Sequence, residues 1–233
     1  MDWNLLTDQL FGTGHGIGRE GDFLRGTVEF DGEAIAVIGT TNHAPIGVQL
    51  ALAQARAVLD TVTQHPGRAI LLLIDTQGQQ LRRRDELLGI NRAMAHLGMC
   101  IDFARRRGHR VIGLVYDQAL SGGFITSGLI ADACDALPEA EIRVMGLPAM
   151  ARVTKLPEAL LARLSESNPV FAPGVDNYVA MGGVRQLWQG DLVHALREAL
   201  ADAPTQDRRA EEGAARRGRL MAASVVQRVL DAV

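Results

Sequence analysis

Two uninterrupted apolar runs, AILLLID over 69–75 and VIGLVY over 111–116, constrain the fold more than anything else in the chain. Neither alternates with polar residues, so neither suits a sheet with one wet face. Both predict strands covered on both sides, as in parallel sheets flanked by helices. The segment between them has helical spacing. Leu87, Ile90, Met94, Leu97, Ile101 and Ala104 mark one face, with Asp85 as the expected N-cap and Gly108 as the stop. Upstream, AIAVIG (34–39) follows the turn Asp31-Gly32 and predicts a strand. A helix from Val48 carries Ala51, Ala55, Val58 and Val62 inward and ends at Pro66-Gly67. Downstream, FITSGLIAD (124–132) predicts a short helix, and ACDAL (133–137) and EIRVMG (141–146) predict two short strands.

The alternation implies an α/β fold of βαβ units. The expected organisation is one domain over 1–233. Residues 1–30 form an N-terminal segment, a short helix near Trp3–Phe11 followed by a loop. Residues 31–146 form the core. Residues 147–233 are mainly helical and face a partner. Pro157 suits a first helical turn, and Leu192, Val193, Leu196, Ala199 and Leu200 mark an amphipathic helix. The charged stretch 204–219 reads as either a loop or a solvated helix, and VVQRVL then resumes an apolar face.

Composition excludes several functions. The net charge is −3, so the basic footprint of a nucleic-acid binder is missing. Aromatic residues make up 4%, too few for base stacking to be the main activity. No apolar run approaches the roughly 18 residues of a membrane span, and the acidic N-terminus does not read as a signal peptide. A cytoplasmic protein with no nucleic-acid or membrane partner is expected. Cys100 and Cys134 lack metal or redox spacing and read as buried free thiols, and no metal site is expected. Of the 24 cations 23 are Arg, and Lys155 is the only lysine. Genomic base composition accounts for such a bias, and it leaves open a role for some arginines in gripping carboxylate or phosphate.

Two turns sit where open α/β folds place their ligands, at the C-terminal ends of buried strands. The first is Asp75-Thr76-Gln77-Gly78-Gln79, and the second is Ser121-Gly122-Gly123 at the start of a helix. Glycine lets a backbone approach a ligand, and a helix start favours negative charge. Facing one another, the two turns would form an oxyanion hole. As plain tight turns they would form nothing. His43, in the loop TTNHAPIG, is a candidate proton donor or a surface histidine. Ser121 lacks the G-x-S-x-G setting of a hydrolase nucleophile. Asp75 is expected to order its own turn. Arg82, Arg83 and Arg84 follow the first turn, as either a solvated helix start or a docking patch. Arg105-Arg106-Arg107 complements a helix C-terminus. Zinc-protease, P-loop and Rossmann signatures are absent, since Gly12-Thr13-Gly14-His15-Gly16 precedes any expected strand.

The order of these motifs resembles the carboxyltransferase branch of the crotonase-like superfamily: DTQGQ, a long helix, VIGLVY, SGG, a short helix, then ADACDALPEAEIRVMGLPAMA. Ala131-Asp132 and Leu147-Pro148 stand where that branch has an acidic segment and a strand ending before Pro. HAPIG (43–47), LIDTQGQQ (73–80), RRDELLGINR (83–92), LPAMARVTK (147–155) and PVFAPGV (169–175) are similar to the gamma subunit family of biotin-independent malonate decarboxylase.

The resemblance implies a crotonase-like fold with a helical C-terminal part. It also implies a subunit that pairs with a crotonase-like beta subunit and decarboxylates a malonyl thioester on an acyl-carrier protein. An acyl-carrier-protein transferase subunit would complete the complex. No cofactor is implied on this chain, since the substrate rides on a pantetheine arm. Amides around Gly78, Ser121, Gly122 and Gly123 would hold the enolate oxygen, and His43 would supply the proton. Gln77, Gln79 and Arg82–Arg84 would meet the substrate or its carrier. The alternatives are a biotin-dependent carboxyltransferase subunit, a serine hydrolase of the same fold, or a scaffold without catalysis. Apolar residues of 147–200, among them Val153, Leu156, Leu161, Phe171 and Trp188, are expected to supply a partner interface above about 2,000 Å², or else to pack back on their own domain.

Overall fold

The computed structural model describes residues 1–166, 174–203, 206–218 and 220–232. A first helix, α1 (Trp3–Phe11), is capped by the Asp2 carboxylate on the N–H groups of Asn4 and Leu5. Strands β1 (Gly18–Glu20), β2 (Phe23–Phe30) and β3 (Glu33–Thr40) then form an antiparallel meander. The loop expected before residue 31 is therefore wrong for 18–30. In β2, Leu24, Val28 and Phe30 point inward and Arg25, Thr27 and Glu29 outward. That is the alternation of a half-buried strand, and Gly26 interrupts it in the sequence. The turn Asp31-Gly32 is left-handed at both residues, as a tight hairpin needs.

After the two-residue strand β4 (Pro45–Ile46), helix α2 (Val48–Gln64) crosses to β5 (Ile70–Thr76), which is buried at every position. Strand β6 (Gly78–Gln79) pairs with β4. The short helix α3 (Arg83–Leu87) precedes α4 (Ile90–Arg106), and β7 (Val111–Leu120) follows. Asp85 does not cap the long helix as expected. The chain turns at left-handed Gly89 before α4 begins, and the Asp85 carboxylate reaches back to the Val48 N–H at 3.0 Å, so it caps α2. That hydrogen bond, with the Arg82 guanidinium, holds Asp85 below the usual carboxylate range.

Helix α5 (Ser121–Phe124) runs into a π-helical turn, Ile125–Leu129. Strands β8 (Ala133–Ala136) and β9 (Glu141–Arg143) follow, and both lie along one edge of β7. The remaining helices are α6 (Leu147–Thr154), α7 (Glu158–Ser165), α8 (Asp176–Ala180), α9 (Leu192–Ala201), α10 (Arg209–Ala215) and α11 (Ala222–Leu230). Part of the charged stretch that begins at 204 is thus helical. The described residues build a seven-stranded sheet in the order β1-β2-β3-β5-β7-β8, with β9 also on β7 and parallel pairing from β3 onward.

Leu71 and Leu73 of β5 enter a core with α1, α9 and Trp188, while Ile70 and Leu72 enter another with α2 and α4. This explains the unbroken apolar run. Arginines staple the layers. Arg105 pairs with Asp132 and the Ile130 carbonyl, which goes beyond the expected helix-dipole role. Asp132 in turn accepts the Val111 N–H, so it anchors the start of β7. Arg185 grips the fully buried Asp135 with two hydrogen bonds of 3.1 and 2.7 Å, and the Trp188 indole N–H donates to the same carboxylate. Trp188 and Leu161 are both buried within this chain. Val153 and Leu156 stay exposed, and Val170 and Phe171 lie outside the described residues. No helix among the described residues is long and apolar enough to cross a membrane.

Cys100 and Cys134 are free and buried, and burial pushes both thiols up. Neither should react with a thiol reagent such as DTNB until denaturant opens the fold, which a titration under native conditions would check. Asp135→Ala would strand Arg185 and the Trp188 N–H. A loss of about 3–5 kcal/mol is expected by chemical denaturation, the usual cost of halving a buried ion pair.

Candidate active site

The two glycine turns meet. Gly78 has a φ of 101°, open to glycine and strained for any L side chain. A Cβ added to Gly123 would lie 2.8 Å from both the Cα and the carbonyl carbon of Gly78, so only glycine fits there. The structure thus brings the two turns together, the condition that the sequence reading sets for an oxyanion hole. Ser121 has a φ of 53°, and Asn42 and His43 are left-handed at 58° and 49°. Non-glycine residues in this region are strained and tend to gather at functional sites.

Thr76 fixes the first turn. Its hydroxyl donates to the Ala44 carbonyl at 2.6 Å and accepts the Gly78 N–H at 3.0 Å. The amide of Gly78 itself is thus engaged. Gln77 N–H donates to the His43 carbonyl, and Gln80 N–H to the Ile46 carbonyl. The second turn opens α5, whose preceding residue Leu120 offers no side-chain cap. The first amides of a helix have no partner within it, and no side-chain cap takes that place at the start of α5.

The Ser121 hydroxyl donates to the Val144 carbonyl at 2.6 Å. That bond holds it on the chain leaving β9 rather than on a base. His43 is half-exposed, and its Nε2 lies 3.7 Å from Asp75 Oδ1 and 3.6 Å from Asp117 Oδ1. Contrary to the sequence expectation, Asp75 does not order its own turn. Its carboxylate accepts the N–H groups of His43 and Gln118 instead, at 2.9 and 3.3 Å. Burial lifts its carboxyl above the usual range. Asp117 is a site residue that sequence reasoning missed; its one signal is that it directly follows VIGLVY. His43, Asp75 and Asp117 offer three ligand-type atoms within 4.8 Å of one another, but both Asp75 oxygens already hold backbone amides, which fits a structural tie better than a cation site.

Gln79 hydrogen-bonds Glu86, and Arg82 pairs with Asp85. Arg83 and Arg84 are exposed beside Leu81 and Leu87. A cleft of about 500 Å³ runs past Gln80, Arg82, Pro45, Gly47 and Phe23.

Residues 41–233 match the model of the malonate decarboxylase gamma subunit family. The chain belongs to that family. A Pseudomonas malonate decarboxylase hetero-tetramer, solved with coenzyme A, contains a chain that superposes on it with a TM-score of 0.78 at 27% identity, over 97% of each chain. A Pseudomonas MdcD-MdcE hetero-dimer gives 0.77 at 28% identity, over 98% of this chain and 97% of that one. A malonyl-S-ACP:biotin-protein carboxyltransferase from Malonomonas rubra is 37% identical over 123 residues, which are 52% of this chain and 42% of that protein. The chain thus matches less than half the length of that curated relative. Transcarboxylase 12S, at 20% identity and a TM-score of 0.74 over 86% of this chain and 41% of that one, shares the crotonase-like carboxyltransferase fold.

Gly123→Ala is expected to push the two turns apart. Hydrogen exchange should then quicken at residues 77–80 and 121–124 while the amides of β5 and α4 keep their protection.

Proposed function

We propose that this gamma-family chain forms, with a crotonase-like beta subunit, the site that decarboxylates a malonyl thioester on an acyl-carrier protein. The contact of Gly123 with Gly78 carries the reading. It brings the uncapped amides at 121–123 against the DTQG turn, at the C-terminal end of the buried strands.

The chemistry needs little more. The bond between the carboxylate and the α-carbon breaks, carbon dioxide leaves, and the electron pair becomes a thioester enolate. Amides of Ser121–Gly123 hold the enolate oxygen, with the Gly78 turn closing the other side. Losing one such donor costs on the order of 100- to 1000-fold in rate. A proton then reaches the α-carbon, giving the acetyl thioester. His43 is our candidate to deliver it; the imidazole lies between two carboxylates and is open to solvent, which supports the assignment. Arg83 and Arg84, with Gln77 and Gln79, would meet the carrier or its pantetheine arm, and the cleft beside Arg82 has room for such an arm. Val153, Leu156 and the exposed apolar face of α11, with Val225, Val226 and Val229, would lie against partner subunits, of which an acyl-carrier-protein transferase would be one.

A second reading draws on the Malonomonas relative, whose name assigns it transfer of the carboxyl group to a biotin protein. One assay separates the two. The purified complex is given a malonyl-carrier thioester, and carbon dioxide and acetyl thioester are measured with and without a biotinylated carrier. Equal release in both is expected, whereas dependence on biotin would establish the carboxyltransferase instead. In the same assay Gly122→Val should lower release at least 100-fold in an assembled complex; full activity would leave this chain a scaffold.

A further inference from the structure

One buried carboxylate near the glycine turns neither gives nor takes a proton in that reaction. Asp75 is only 3% exposed. Its strand β5 pairs with β7 at Ile74 and Val115, and pairing resumes at Thr76 and Ala119. Three residues of β7, Tyr116 to Gln118, therefore stand opposite one residue of β5. Such a bulge leaves an N–H without its ladder partner. Asp75 Oδ1 takes the orphan, accepting Gln118 N–H at 3.3 Å. Its Oδ2 accepts the N–H of left-handed His43 at 2.9 Å. One side chain thus joins β5, which leads to Gly78, to β7, which leads to Ser121–Gly123, and to the loop that carries His43. The His43 imidazole folds back over the same carboxylate, with Nε2 3.7 Å from Oδ1.

We propose that ionised Asp75 is a positioning residue for the reaction, setting the glycine turns against one another and orienting His43. The proposal rests on the decarboxylase reading above. The negative charge matters for two reasons. An ionised acceptor makes the stronger hydrogen bond, and only a carboxylate offers acceptors to both amides at once. Asparagine would satisfy one and aim an NH₂ group at the other. The groups facing Asp75 are His43 from the loop, Thr40 from β3, and Tyr116, Asp117 and Gln118 from β7. The Tyr116 hydroxyl is committed to the Thr40 carbonyl. Burial raises the Asp75 carboxyl, and Asp117 adds to the rise, while the His43 contacts oppose it. Protonation therefore sets in at a higher pH than for an ordinary aspartate, and activity should fall with it on the acid side.

The test uses the assembled complex and a malonyl-carrier thioester. Asp75→Asn should lower kcat on the order of 10- to 100-fold, as small misplacements of reacting groups do, with KM changed by less than about threefold. The acid limb of the wild-type kcat profile should be absent from the variant. A kcat within about threefold of wild type, or an acid limb unchanged in Asp75→Asn, would overturn the proposal. Should the variant fail to assemble, the wild-type complex decides. After correction for intrinsic pH dependence, exchange of the His43 and Gln118 amides should quicken over the pH range in which kcat falls. Constant protection across that range would refute the tie. A wild-type complex that releases no carbon dioxide would sink the decarboxylase reading instead, and exchange of the His43 and Gln118 amides, followed from neutral to acid pH, would still judge the Asp75 tie: quickening supports it and constant protection refutes it.

Discussion

The parallel pairing of β5 with β7 is the constraint on which the rest of the structure depends. Over Ile70–Ile74 and Val111–Val115 both strands are buried on both faces, so their backbone groups must be satisfied within the sheet and their side chains must be apolar. Burial that complete leaves few places for polar chemistry. It collects where the strands end, and there the chain turns at Gly78 on one strand and at Ser121 on its neighbour. The distance between those turns is set by the ladder beneath them, not by the loops themselves. A rigid scaffold that ends in two glycine turns is a simple way to hold amides in a fixed direction.

The most legible parts of the fold were those whose pattern is dictated by burial on two sides. The strands at 70–76 and 111–120 and the helices α2 and α4 follow directly from apolar runs and helical spacing. The hairpin strand β2 was hidden because Gly26 occupies an inward position, where a glycine looks like punctuation. Asp85 was misplaced for a different reason. A cap residue is recognised by the helical pattern on its C-terminal side, but this one caps a helix that begins 37 residues earlier. At the site, the facing glycine turns were readable from their positions after strands. The tie through Asp75 was not, because it depends on a β-bulge, and a bulge has no signature in a single sequence.

The arginine bias turns out to have structural use. Arg105, Arg185 and Arg216 reach backbone carbonyls as well as carboxylates; Arg105 ties α4 to the 130–132 segment before β8, and Arg185 and Arg216 tie the 184–188 segment to the C-terminal helices. A planar five-donor head suits such bridging better than an ammonium group does, and its charge does not titrate in the physiological range. The arginines seen at carboxylates are therefore largely structural.

The bulge carries a consequence of parity. Between the paired positions on either side of it, β5 advances by two residues and β7 by four. Both steps are even, so the side chains of β7 keep the same inward and outward assignment before and after the irregularity. Losing one residue from 116–118 would make the step odd and turn Ala119 and Leu120 to opposite faces of the sheet. Losing Tyr116 and Asp117 together would restore a regular ladder and keep every face correct, but the Gln118 amide would then find its partner in the strand, and the Asp75 carboxylate would keep only the His43 amide, with one oxygen buried and unpaired. The length of this short stretch is therefore fixed twice over, once by the packing of the sheet and once by the charge beneath the site.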